Sequence, residues 1–169
     1  GKNTASILKY TGSGTLTINN LNLINGKSSE NGAAIDVTNN GNIKIFKSNL
    51  INNSANKGGA VYSLGDVSIR TSNIINNTAN VGSAIYAGLA SVNYNIILGN
   101  SLTNKVIYAE NNSSNANFNW WGKNEPNVNS LTNIINTKFF IIATINSYDS
   151  VMVNATTPIE VNLNSYTDG

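Results

Sequence analysis

The strongest constraint on what this chain can fold into is an internal repeat. The segment Leu50-Ile51-Asn52-Asn53-Ser54-Ala55 returns as Ile74-Ile75-Asn76-Asn77-Thr78-Ala79, and in altered form as Ile97-Leu98-Gly99-Asn100-Ser101-Leu102. A second block follows each copy: Gly58-Gly59-Ala60-Val61-Tyr62, Gly82-Ser83-Ala84-Ile85-Tyr86 and Asn104-Lys105-Val106-Ile107-Tyr108, with Gly32-Ala33-Ala34-Ile35-Asp36 as an earlier member. A third block appears as Ile43-Lys44-Ile45 and Val67-Ser68-Ile69, and Val92–Ile97 aligns with Ala116–Trp121. Successive copies lie about 24 residues apart, which is a solenoid period.

Each block is short, rich in β-branched residues and alternating, and is bounded by Asn, Gly, Ser or Asp, so the blocks read as strands. About 24 residues suit three short strands and three turns, one coil of a β-helix. The leucine spacing of a leucine-rich repeat is absent, and a propeller blade needs about 40 residues. Stacked coils pair equivalent strands in parallel about 4.8 Å apart. Equivalent side chains then form columns. Ile35, Val61, Ile85 and Ile107 form an aliphatic column expected inside. Asp36, Tyr62, Tyr86 and Tyr108 form the neighbouring column, expected to face water because an unpaired buried carboxylate is costly. Asn53, Asn77 and Asn100 form a third, expected to be an amide ladder at bends where Asn tolerates the left-handed conformation. The repeat predicts roughly four to five coils.

Composition fits this reading. Asn supplies 35 of 169 residues, while charged residues are only 11%. A net charge of +2 makes no basic stripe, and Arg70 is the sole arginine, so nucleic acid is not an expected partner. With no Cys and no His, disulfides and Cys/His zinc sites are excluded, and the usual general base is missing. No metal or other cofactor is expected. No signal peptide, membrane-spanning run or lipidation motif is found, so this segment is not expected to insert into a membrane. The repeat is entered in mid-pattern, so the chain reads as an excerpt, monomeric as such, of a longer protein that carries the anchor and export signal elsewhere.

With these motifs in view, the chain resembles the adhesin-like right-handed parallel β-helix proteins of methanogenic archaea. It also shares the Gly-Gly-Ala-aliphatic and Phe-x-x-Asn rhythm of bacterial polymorphic surface proteins, here Gly58-Gly59-Ala60-Val61 and Phe46-Lys47-Ser48-Asn49. The sharper likeness is Asn119-Trp120-Trp121-Gly122-Lys123-Asn124-Glu125-Pro126, similar to the segment that closes the β-helix in the archaeal group. The resemblance covers about residues 16–126. It departs at Ser83, which replaces a glycine, and at Asn104-Lys105, where both glycines are missing. It implies an all-β fold with a β-helix over 1–126. Strands over 127–169 would then cap the solenoid or begin an immunoglobulin-like module. Lys138–Ile145 reads as cap, and Ile159–Leu163 as an alternating strand.

Many β-helix proteins are polysaccharide lyases or hydrolases, whose sites need clustered carboxylates or a strong base. Here no Asp-x-Asp pair exists and no two acidic residues of the repeat share a column, so no catalytic residue is assigned. Tyr62, Tyr86 and Tyr108 are the first binding candidates, as a strip of outward phenols whose bland counterpart is cross-strand stacking. Trp120 and Trp121 are a second candidate. Consecutive strand residues point oppositely, so at least one is expected to plug the core. Asn-x-Ser/Thr sequons occur at Asn52, Asn76, Asn111, Asn112 and Asn154. Asn111 and Asn112, expected in a loop, are the better acceptors, while glycans on Asn52 and Asn76 would crowd each other. The functional expectation is a cell-surface, extracellular adhesin-like segment that binds glycans or proteins of another cell. Its rivals are a passive stalk and a carbohydrate-active enzyme.

Overall fold

The computed structural model describes residues 4–135, 137–141 and 167–168. It is a parallel β-solenoid of about four coils. The first face of each coil is carried by β1 (Leu8–Tyr10), β4 (Ile35–Val37), the start of β7 (Val61–Arg70), the start of β9 (Ile85–Asn93) and β11 (Ile107–Ala109). The second face holds β2 (Thr15–Asn19), β5 (Asn42–Phe46) and the later halves of β7 and β9. The third is a four-stranded sheet of β3 (Asn22–Ile24), β6 (Asn49–Ile51), β8 (Asn73–Ile75) and β10 (Ile96–Leu98).

The register is that of the repeat. Ile35, Val61, Ile85 and Ile107 pair in sequence along the first face, and all four are fully buried. Leu23, Leu50, Ile74 and Ile97 make the equivalent column of the third face. Isolated parallel bridges from Ser91 to Asn115 and from Ile96 to Trp120 carry the second and third faces onward. Trp121 therefore stands on the Leu23–Ile97 column and is buried in the same core cluster. Stacking runs on past Pro126. A short helix, α1 (Val128–Leu131), precedes parallel bridges from Ile107 to Thr132 and from Asn119 to Phe139. β12 (Lys138–Phe139) also pairs antiparallel with β13 (Thr167–Asp168). The strand expected over Ile159–Leu163 and the sequon at Asn154 lie outside the described residues, as does the end of Lys138–Ile145.

Three corners per coil take a left-handed residue. One runs through Lys47, Thr71, Tyr94 and Phe118, a second through Asn25, Asn52, Asn76 and Gly99, and a third through Gly32, Gly58, Gly82 and Lys105. The third explains the Gly-Gly-Ala motif. A Cβ on Gly58 would sit 2.1 Å from the Val61 carbonyl oxygen, at φ +57°. The second glycine, Gly59, is not left-handed, but a Cβ there would sit 2.1 Å from the Ser83 carbonyl oxygen. Lys105 takes the left-handed conformation of Gly58 at φ 56° without glycine's freedom, at a cost of about 1–2 kcal/mol.

The asparagine ladder is built, but the bends belong to its neighbours. Asn53, Asn77 and Asn100 lie inside the solenoid, each one residue after the left-handed position. The backbone N–H and Nδ2 of Asn53 both donate to Asn77 Oδ1 at 3.0 Å. Asn77 donates to Asn100 Oδ1 in the same way, at 2.8 and 3.0 Å. The other amide hydrogens go to the carbonyls of Leu23, Leu50 and Ile74. A second ladder follows the first corner, where backbone N–H groups of Leu21, Ser48, Ser72 and Asn95 donate to the side chains of Ser48, Ser72, Asn95 and Asn119. These side chains satisfy backbone groups that a turning chain would otherwise bury unpaired.

Asn77→Ala strands the two donors of Asn53, its backbone N–H and one amide hydrogen, at about 1–3 kcal/mol for each buried unsatisfied group. Ile85→Ala should lose about 2–5 kcal/mol through its cavity. Among the described residues the exposed Asn80 bonds only Asn56, so Asn80→Ala should change stability by under about 0.5 kcal/mol. Urea midpoints of the three variants test this. An Asn77→Ala midpoint equal to that of Asn80→Ala would remove the ladder's structural role.

Candidate functional site

The binding candidates of the sequence come together on the outer side of the first face. Ile35 and Val37 point into the core, so Asp36 points away from it, and Tyr62, Tyr86 and Tyr108 stand over it in register. The rings stack. Centroids of Tyr62 and Tyr86 are 5.3 Å apart at 31°, and those of Tyr86 and Tyr108 are 5.0 Å apart at 23°. Tyr86 is only 8% exposed, while its neighbours are half-buried. The Lys57 ammonium lies 5.1 Å from the Tyr86 centroid, within cation–π range. Tyr86 donates its hydroxyl proton to Glu110 Oε1 at 2.8 Å.

This corrects the expectation that the column faces water. Asp36 points outward yet is 5% exposed, lying between Lys9 and Tyr62 in the register, with Lys9 Nζ 3.9 Å from its carboxylate. Alternation sets the side of the sheet, not the depth. Burial raises the Asp36 carboxyl above its ordinary value of 3.8, Lys9 partly offsets this, and Glu30 adds to it. Burial likewise raises the Tyr62 and Tyr86 phenols. Tyr86 is raised further by its hydrogen bond to Glu110. Both stay protonated at neutral pH. Rings stacked on one another spend their faces on each other, so the strip offers ring edges and hydroxyls to a ligand.

Beside the strip is a shallow groove of about 490 Å³, lined by Leu64, Asp66, Gly88, Leu89, Glu110 and Asn111. It lies where β7 carries one residue more than β9, between Ser63 and Asp66. The groove brings together two carboxylates, Asp66 and Glu110, that the sequence assigned to different columns. No group of three or more His, Cys, Asp or Glu side chains able to hold a metal occurs among the described residues.

Trp120 and Trp121 separate as their adjacency requires. Trp121 is core and Trp120 is half-exposed beside Ile96, so the pair forms no continuous aromatic platform. Asn111 and Asn112 are exposed in a turn, and Asn52 and Asn76 are exposed on adjacent coils. A second aromatic column was missed. Tyr94 and Phe118 stack at 5.2 Å, Phe140 lies 6.0 Å from Phe118, and the Arg70 guanidinium lies 5.9 Å from the Tyr94 ring. The alignment of Val92–Ile97 with Ala116–Trp121 already placed Tyr94 over Phe118.

Comparison with family models, curated proteins and solved structures finds no match to this chain.

A carboxyl raised by folding binds its proton more tightly in the folded state. Stability therefore falls as pH rises through the interval above 3.8. Asp36→Asn should raise the urea midpoint at pH 7 and lose that advantage as pH is lowered below 3.8. A variant less stable at pH 7 would show that the Lys9 attraction outweighs desolvation.

Proposed function

We propose that the chain is a non-catalytic segment of an extracellular, cell-surface adhesin-like protein, and that its first face binds glycans of another cell. One observation carries this reading. Asp36, Tyr62, Tyr86 and Tyr108 form a polar aromatic column along the solenoid axis that the hydrophobic core does not use. A column repeating once per coil suits an extended ligand, because each coil offers similar contacts at about 4.8 Å intervals. The Tyr62 and Tyr108 hydroxyls would meet the ligand directly, while Tyr86, held by Glu110 and covered by Lys57, fixes the stack. The repeat rhythm and the Asn119–Pro126 segment, which resemble adhesin-like archaeal solenoids, point the same way.

The test is a glycan array with the wild-type chain beside Tyr62→Phe/Tyr86→Phe/Tyr108→Phe, which keeps the rings and removes the hydroxyls. Two or three hydrogen bonds at about 0.5–1.5 kcal/mol each predict a loss of roughly tenfold or more. Binding unaffected by the triple substitution would move the site elsewhere, and no binding at all would favour a passive stalk.

The groove with Asp66 and Glu110 is the observation that keeps an enzyme reading in play, since glycosidases use paired carboxylates. Glu110 is already hydrogen-bonded to Tyr86, and no histidine is present to serve as base. Reducing-end and unsaturated-product assays on pectin, alginate and mannan should stay at background. Turnover abolished by Glu110→Gln would replace the adhesin reading with a hydrolase or lyase.

A further inference from the structure

The asparagine ladder ends at Asn100, and its last rung lines a cavity. The Asn77 oxygen accepts two bonds from the coil below, from the backbone N–H and an amide N–H of Asn53. Asn100 accepts its pair from Asn77 and gives one amide hydrogen to the Ile74 carbonyl. Its own backbone N–H and its second amide hydrogen have no acceptor among the described residues. The register would place Asn124 next, but Gly122 turns at φ 89° before it. Asn100 is nevertheless 8% exposed.

The cavity above it measures about 260 Å³. Ile97, Leu102, Val106, Trp121 and Leu131 supply its apolar wall, and Lys123, Asn127 and Ser130 join Asn100 as polar lining. Trp121 is 8% exposed, and its indole Nε1–H is buried without an acceptor. The two unpaired Asn100 N–H donors and the Lys123 ammonium thus line a cavity with no acidic residue in its wall. Donors without acceptors, beside a cation, select an anionic oxygen, and the charge-assisted bonds so formed are the stronger kind.

We propose that this cavity is a binding site for a small organic carboxylate of one ring or one residue. One carboxylate oxygen takes the place that an asparagine Oδ1 holds in the lower rungs and accepts both Asn100 N–H groups. Lys123 balances the charge, and the apolar wall receives the body of the ligand. The volume is below that of a drug-sized pocket, which limits the ligand to about one sugar ring or one amino acid. The site lies beyond the last rung of the asparagine ladder and does not depend on the tyrosine strip, so either proposal can fail alone.

The chain has two tryptophans and hence two indole N–H resonances, which makes NMR titration direct. The probes are sodium glucuronate against glucose, and sodium N-acetyl-leucinate against N-acetyl-leucinamide. We expect at least one acid to shift the Trp121 indole and Asn100 amide signals saturably, roughly tenfold tighter than its neutral partner. The acid that binds tells whether the ligand body is a sugar or an amino acid. Lys123→Gln, on an exposed side chain, should weaken that binding several-fold with the rest of the spectrum unchanged. Two outcomes overturn the proposal: no shift by either acid up to about 50 mM, where a millimolar site is saturated, or equal shifts by acid and neutral partner.

Discussion

Parallel, in-register stacking is the constraint on which the rest of the structure depends. Once strands of successive coils pair residue for residue, every side chain meets its own counterpart above and below. An aliphatic position then builds a core merely by recurring, as Ile35, Val61, Ile85 and Ile107 do. A polar position inside must find its partner in the same column, and an amide is suited to this because it both donates and accepts. Asn77 lies fully buried between Asn53 and Asn100 with every side-chain bond made. Much of the asparagine content thus follows from geometry: one amide at a left-handed corner, the next in a ladder.

How far the sequence could be read depended on whether a column repeats one residue type. The aliphatic columns, the three-strand coil and the Asn53–Asn77–Asn100 ladder were legible because they do. Pairs such as Asn52-Asn53 hid which amide sits at the bend, since either residue tolerates φ > 0. The third copy held the answer: Gly99 stands first and Asn100 second, so the strained position is the first. The serine and asparagine ladder from Ser48 to Asn119 escaped notice because its rungs change type. Unlike side chains can share one task when each presents an oxygen at the same place.

Depth was the least legible property of the candidate site. Alternation placed Asp36 and the tyrosines on the outer side of the first face. It could not show that Tyr86 would be nearly closed off by its stacked neighbours and Lys57. Nor could it show Glu110 reaching Tyr86 from the next coil, because that contact joins different columns. The same limit separated Asp66 from Glu110 on paper, although a shift of register between β7 and β9 opens the groove they share.

The direction of the ladder bonds carries a mechanical consequence. Strand and ladder hydrogen bonds alike run from coil to coil, nearly parallel to the solenoid axis, whereas the chain itself circles that axis. Tension applied through the two ends of the stack therefore loads the outermost coil first, and its bonds open one after another, as in a zipper. Each coil released adds about 80 Å of extended chain, at about 3.3 Å for each of its roughly 24 residues. The force needed at any moment is that of one coil, and the length paid out grows coil by coil. Under a sustained pull such a molecule would lengthen in steps of nearly equal size, like a wound tape shedding its turns.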